Sequence, residues 1–259
     1  MMVTRPPLPE TFLRLPITHR AFHDRAARRP ENSRAAIRAA IAAGYGVEID
    51  IQPSADGVPM VFHDYDLRRL TGQPGRVRGL TAAELGALPL LDADEGIPTL
   101  AEVLAIVGGQ VPLLIEIKDQ DGAMGAALGD LEQAVAEALK GYPGDVALMS
   151  FNPHSVAALA DLAPDRPRGL TTSAYRAEDW PLLPATVRDH LREIPDLDRV
   201  GASFISHEAA DLDRPLVAVL KARGTRVLCW TIRSPEAEAK ARRVAENVTF
   251  ESYSAAIAP

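Results

Sequence analysis

The chain is nearly free of cysteine. Cys229 alone among 259 residues rules out an intramolecular disulfide, and a reducing cytoplasm is the expected setting. Long apolar runs are missing too, and the opening stretch MMVTRPPLPETFLRLP lacks the apolar segment of a secretory signal. Stable membrane insertion is therefore not expected. Positive charge is in deficit, with 28 Lys+Arg against 35 Asp+Glu and a formal net charge of -7, so no general field exists to hold nucleic acid or an anionic membrane. Any anion must be bound locally. The sequence also lacks low-complexity linkers and convincing internal repeats, while 47% of its residues are apolar. That is enough to bury the core of one large α/β domain covering 1–259.

Strand-like and helix-like segments alternate from start to end, the pattern of parallel β/α units. Candidate strands are Leu15–Thr18, Val47–Gln52, Pro112–Lys118, Val146–Phe151, Arg168–Thr172, Ala202–Ser206, Arg226–Ile232 and Asn247–Phe250. Eight such strands point to a closed barrel. Helical stretches separate most of them: Arg34–Ala43 before Gly44, Met124–Lys140 before Gly141, Pro153–Leu162, Pro215–Arg223 before Gly224, and Pro235–Ala245 after Ser234. Thr81-Ala82-Ala83-Glu84 and Thr99-Leu100-Ala101-Glu102 both read as capping boxes, which predicts two short helices between His63 and the third strand.

One connection breaks the alternation. Only Pro53–Gly57 separates the second strand from Val58–Phe62, too few residues for a parallel crossover, so these segments form an antiparallel hairpin turning at Asp56-Gly57. A turn centred between Ala55 and Asp56 sets His63 opposite Glu48. Period-two alternation puts Glu48, Asp50 and Gln52 on one strand face and Val47, Ile49 and Ile51 on the other. The acidic face is expected inside the barrel, and Glu116 and Lys118 in LLIEIKDQ repeat the arrangement on the next strand. Buried acids are costly unless something positive lies among them. Glu48, Asp50 and Glu116 together offer an all-oxygen site suited to a hard divalent cation, Mg²⁺ or Ca²⁺, in preference to zinc. A pair of histidines, His19 and His63, brackets this acidic strand, with Arg20 beside the first. Two imidazoles, a cation site and an arginine are the parts needed to break a phosphodiester.

The ordered set His19-Arg20, Pro30-Glu31-Asn32, Glu48-Ile49-Asp50, Asp56-Gly57 with His63-Asp64, Ile97-Pro98-Thr99-Leu100, Glu116-Ile117-Lys118 and Trp230-Thr231 resembles the glycerophosphodiester phosphodiesterases from about Pro16 to Ser252. The resemblance implies a distorted (β/α)₈ TIM barrel with chemistry at the carboxyl ends of its strands, and a small cap at about 64–110 after the hairpin. It implies acid–base roles for His19 and His63, phosphate contacts from Arg20 and Lys118, and a divalent cation on Glu48, Asp50 and Glu116. Glu31 is expected to orient Arg20 or a histidine, and Trp230 to meet the apolar face of glycerol. The implied reaction releases glycerol 3-phosphate and an alcohol from a small glycerophosphodiester through a cyclic phosphate, with the order of the two histidines open. Two departures stand out: Ala21 replaces the glycine usual after His-Arg, and the last strand ends Thr249-Phe250-Glu251-Ser252 instead of a Thr-Asp-Arg-Pro-like run.

His23, His154 and His190 are read as structural, as is His207, although it ends the sixth strand within reach of the barrel mouth. Asp64 and Phe151 are read as neighbours only. Two alternatives share the same core: an enzyme acting on lysophospholipids, with Leu85–Leu91 as a candidate apolar entrance, and a non-catalytic barrel that binds phosphodiesters.

Overall fold

A computed structural model describes residues 4–257. Among the described residues nine strands form one sheet: β1 (Ile17–Thr18), β2 (Gly46–Pro53), β3 (Pro59–Val61), β4 (Leu113–Ile117), β5 (Val146–Ser150), β6 (Arg168–Thr172), β7 (Phe204–Glu208), β8 (Arg226–Ile232) and β9 (Asn247–Phe250). All but β3 run parallel, in the order β1-β2-β4-β5-β6-β7-β8-β9, and β9 pairs back onto β1. The result is the closed (β/α)₈ barrel that the alternating pattern implied. β3 lies antiparallel against the end of β2.

The described residues also form ten α-helices: α1 (Thr11–Arg14), α2 (Arg34–Ala42), α3 (Arg68–Thr71), α4 (Ala82–Ala87), α5 (Leu100–Val107), α6 (Leu131–Ala138), α7 (Pro153–Leu162), α8 (Ala185–Arg192), α9 (Pro215–Ala222) and α10 (Pro235–Ala241). Their starts follow local chemistry. Ser33, Thr81, Thr99 and Ser234 each accept a backbone N–H of the first turn, and Thr81 and Thr99 form full capping boxes with Glu84 and Glu102.

The period-two reading of β2 holds. Val47, Ile49 and Ile51 are fully buried in the main core between barrel and helices, while Glu48, Asp50 and Gln52 are turned inward at 2% exposure. A second apolar cluster, built around Met60, Phe62, Leu70, Leu85 and Ile97, lies beneath the hairpin and α4. Leu85 and Leu90 are part of it, so of the Leu85–Leu91 leucines only Leu91 is exposed. The run offers no continuous apolar entrance.

Two local expectations need correction. The hairpin pairs Ile51 with Val61 and Gln52 with Met60, one residue out of the expected register, so His63 does not face Glu48. The turn runs from Ser54 to Val58, whose backbones bond at 3.0 Å, and the Ser54 hydroxyl bonds both Asp56 and the Val58 N–H, which centres the loop on Asp56. The helix expected over Met124–Lys140 begins only at Leu131. Before it, Gly122, Met124 and Gly129 take positive φ, and Asp121 accepts the N–H groups of Ala123 and Gly125, a turn that competes with helix. α1, α3 and α8 are additional to the helices expected from sequence.

Candidate active site

A cavity of about 180 Å³ opens at the carboxyl ends of the strands, lined by His19, Arg20, Glu48, Asp50, His63, Glu116, Lys118 and Trp230. The strand frame explains why these residues meet. Asp50 on β2 pairs directly with Glu116 on β4, so their side chains share the inward face, and Glu48 sits two residues back on that same face. One oxygen of each lies within 4.8 Å of the others.

These acids are nearly dry, and their environments differ. Glu48 is pushed well above the ordinary carboxylate range by burial and by repulsion from Asp50 and Glu116, although its Oε2 accepts the Arg20 backbone N–H at 2.7 Å. Burial works against ionised Asp50 as well, but Lys118, His63 and Arg20 outweigh it and hold its carboxyl low. Asn32 adds a bond from Nδ2 to Asp50 Oδ2 at 3.0 Å. The Lys118 ammonium lies 2.7 Å from Glu116 Oε1 and 3.3 Å from Asp50 Oδ1, and this pairing overcomes burial to raise its pKa. The rise at Glu48 shows that Lys118 and Arg20 do not fully offset the mutual repulsion and burial of the three acids. An all-oxygen, anionic and buried trio fits a hard divalent cation, which would reverse the Glu48 shift.

Both histidines are tied down through Nδ1. His19 meets Glu251 Oε2 at 2.6 Å and His63 meets Asp64 Oδ1 at 2.7 Å, which leaves Nε2 of each as its free nitrogen. Burial lowers the His19 pKa more than Glu251 raises it, so His19 is a neutral imidazole whose Nδ1–H donates to the Glu251 carboxylate. Burial disfavours charge on Glu251 too, yet bonds from His19 and His23 and the charge of Arg233, 2.7 Å from Oε1, hold it low.

Arg20 takes φ +50° and Ala21 φ +65°. Glycine enters this left-handed region without steric penalty, and Ala21 occupies it while buried and bonded to the Glu48 carbonyl at 2.9 Å. That turn sends Arg20 toward Glu31, Nη1 to Oε1 at 2.8 Å. Glu31 also receives both terminal nitrogens of Arg69 at 2.7 Å, and Arg69 Nε reaches Asp64 at 2.6 Å. A continuous ionic chain thus runs Arg20–Glu31–Arg69–Asp64–His63.

The opposite wall is aromatic. Trp230 is fixed by a bond from Nε1 to the Ser206 carbonyl at 3.0 Å and by edge contact with Phe151, centroids 5.5 Å apart. Phe151 itself lines the cavity, as do Ser206 and Thr249, whose hydroxyls are buried without a protein partner. His207 is fully buried, bonded to Thr172 Oγ1 at 2.8 Å, and is not among the lining residues. His154 and His190, on α7 and α8, are likewise absent from the cavity. Sequence reading missed Glu251, Arg69 and the contacts of Asp64 and Phe151. Asp64 carried a signal in its adjacency to His63; Glu251, 232 residues from His19, carried none beyond its departure from the usual strand ending.

Residues 19–249 match the model of the glycerophosphoryl diester phosphodiesterase family. Among individual relatives, a glycerophosphodiester phosphodiesterase of Caldanaerobacter subterraneus is 31% identical over 160 residues, which cover 58% of this chain and 65% of that protein. A putative glycerophosphodiester phosphodiesterase of Bacillus subtilis, YhdW, is 26% identical over 82% of this chain and 84% of its own length. Among solved structures, an Oleispira antarctica phosphodiesterase in complex with the product sn-glycerol-3-phosphate superimposes with a TM-score of 0.74 at 26% identity, covering 92% of this chain and 94% of that one. With the barrel, the inward acids and the two histidines in one cavity, the match over most of the length places the chain in the glycerophosphoryl diester phosphodiesterase family, a family of phosphoric diester hydrolases.

Proposed function

We propose that the chain hydrolyses small glycerophosphodiesters to glycerol 3-phosphate and an alcohol, by acid–base catalysis between His19 and His63 and through a cyclic phosphate. The observation that carries this reading is the pair of imidazoles, each locked at Nδ1 by a carboxylate and both lining the cavity that holds Glu48, Asp50, Glu116, Arg20 and Lys118. Glu48, Asp50 and Glu116 would hold Mg²⁺ or Ca²⁺, which when bound supplies positive charge beside the phosphoryl oxygens. Arg20 and Lys118 add fixed charge to the same side, both mostly shielded from solvent. Glu31 aims Arg20, and the faces of Trp230 and Phe151 suit the carbon skeleton of glycerol.

In the first step one histidine takes the proton of the glycerol hydroxyl next to the phosphate, and the other gives a proton to the departing alkoxide. In the second, water opens the ring with the two roles exchanged, which returns each histidine to its starting state. An acyl-chain substrate is less favoured, because Leu85 and Leu90 pack into the cap instead of forming an entrance. Neither a basic surface nor, among the described residues, a helix long and apolar enough to cross a membrane argues for another partner.

A panel of glycerophosphodiesters assayed after chelation tests the reading. Activity should vanish without the divalent ion, return with Mg²⁺ or Ca²⁺, and be accompanied by a higher melting temperature. A substrate lacking the vicinal hydroxyl should lose turnover entirely, whereas one lost hydrogen bond would weaken binding by only about 1–3 kcal/mol; the internal hydroxyl supplies proximity that external water does not. Full activity after chelation, or normal turnover of the deoxy substrate, would refute the cation site or the cyclic route respectively.

A further inference from the structure

Beside the three acids, one further cluster of candidate ligands converges among the described residues: His19, His23 and Glu251, with one donor atom of each within 4.8 Å of the others. We propose that this trio is a second cation site, selective for Zn²⁺ over Mg²⁺ or Ca²⁺, and that its occupation switches off the reaction by capturing His19. The inhibitory half rests on the acid–base role proposed for His19; the binding half does not.

The donor set is the first argument. Two imidazoles and one carboxylate suit zinc, whereas the Glu48 trio offers oxygen alone. His19 and His23 are separated by three residues on the loop after β1, and the third ligand comes from the far end of the chain, a spacing that zinc sites use. Geometry is the second. Bonds of 2.0–2.1 Å to a tetrahedral ion place ligand atoms about 3.3 Å apart. His23 Nε2 already stands 3.4 Å from Glu251 Oε2, and His19 Nδ1, at 2.6 Å, needs to open by about 0.7 Å. Arg233 holds the other oxygen of Glu251 at 2.7 Å, the kind of outer contact that orients a ligating carboxylate. Access is the third. A separate cavity of about 420 Å³ is lined by His23, Phe22, Ser252 and Tyr253 but not by His19, while His19 lines the catalytic cavity and His23 does not. Glu251 contacts one residue of each cavity, His19 and His23, so the trio can be reached from the His23 side without crossing the substrate site. Arg25 and Arg29 also border this second cavity, and their charge keeps the site weaker than a structural zinc centre.

A metal on His19 Nδ1 takes the lone pair of the tautomer whose single proton sits on Nε2, so binding moves that proton from Nδ1 to Nε2. The imidazole then has no lone pair to take a proton, and as a neutral N–H it is too weak an acid to give one. Inhibition follows whichever step His19 serves.

Co²⁺, as a spectroscopic stand-in for zinc, should be added to protein saturated with Mg²⁺ so that the all-oxygen trio is already filled. A visible absorption of low-coordinate Co²⁺ should appear, be displaced by Zn²⁺, and be lost in His23→Ala and in the bulkier His23→Gln. In activity assays at saturating Mg²⁺, micromolar Zn²⁺ should inhibit the native protein, and either His23 variant should need at least tenfold more Zn²⁺ for the same inhibition. If the His23 variants bind Co²⁺ and respond to Zn²⁺ like the native chain, the trio is only a hydrogen-bonded support and the proposal is wrong. If Co²⁺ binding depends on His23 while the protein cleaves no glycerophosphodiester, the site stands and the proposed function falls.

Discussion

The two histidines are supported alike by regions of very different origin. Each Nδ1 meets a carboxylate, at 2.6 Å for His19 and 2.7 Å for His63, and each carboxylate is clamped by an arginine, Arg233 on Glu251 and Arg69 on Asp64. The His19 support joins the first strand end to the last, and exists only once β9 has paired with β1 to close the barrel. The His63 support is its own chain neighbour, anchored by α3 of the cap segment. One is a product of the whole fold. The other is local, and is wired through Glu31 to Arg20. Two imidazoles with the same proposed duty should therefore fail differently when their surroundings are disturbed.

The largest effects should be equal on the two sides. His19→Ala and His63→Ala are each expected to lower kcat by roughly 10²- to 10⁴-fold, the scale of lost acid–base catalysis, with folding retained by circular dichroism. Near-native turnover in either variant would remove that histidine from the mechanism and end the symmetry.

Substituting the carboxylates should expose the asymmetry. Glu251→Gln leaves a neutral amide beside a buried imidazole and can select the wrong tautomer, so kcat should fall about 10- to 100-fold. Asp64→Asn should cost less, roughly tenfold or under, because His63 and Asp64 are more open to water than His19 and Glu251. The reverse order, measured as kcat with KM unchanged, would mean that the cap rather than barrel closure governs the site.

Acid should separate the two regions further. The folded-state pKa of His19 lies below its usual 6.5, chiefly through burial, so on acidification the unfolded chain takes up a proton first and stability falls as pH drops through about 6.5. Glu251 and Asp64 are held below their unfolded values despite burial, by His19 and His23 for one and by His63 and Arg69 for the other. Their contribution is present above the unfolded carboxylate pKa and is lost as pH falls below about 4.5. Over the upper window the raised Glu48 carboxyl works the other way, since the folded chain takes up its proton first and gains stability as pH falls, so the His19 stage is read as the difference between the native protein and His19→Ala. Melting curves of the two that run parallel down to pH 4.5 would contradict the neutral His19.

What could be read from sequence divides along the same line. The inward face of β2, the convergence of its acids with Glu116, the hairpin and the capped helix starts are local matters of period and turn chemistry. The one-residue error in hairpin register arose because the Ser54 hydroxyl bonds to Asp56 and the Val58 N–H and so fixes the turn centre; strand alternation carries no trace of it. Met124–Asp130 was misread as helix because its apolar and small residues fit a helical period, while Asp121 and two glycines select a turn. Glu251 lay out of reach for a different reason. Its meaning depends on which strand closes against β1, and no local pattern states that. Ala21 and Glu251, the two departures from the family pattern, bear on the same histidine from opposite ends of the chain.

The smallest expected effect tests the wire between the two regions. Arg69 is about half exposed, with 47% of its side chain open to solvent, so its contacts with Glu31 and Asp64 are partly screened and each ion pair is worth about 1 kcal/mol or less. Arg69→Ala should therefore lower kcat/KM only several-fold. The loss should appear mainly in KM, because Glu31 is freed to shift Arg20 away from its proposed phosphate contact, while the short Asp64–His63 contact survives. Raising the salt concentration should produce part of the same change in the native protein and almost none in the variant, since screening acts on a pairing the variant no longer has. A loss as deep as that of His63→Ala would make Arg69 a full partner of the histidine, and the His63 support would then be no more local than that of His19.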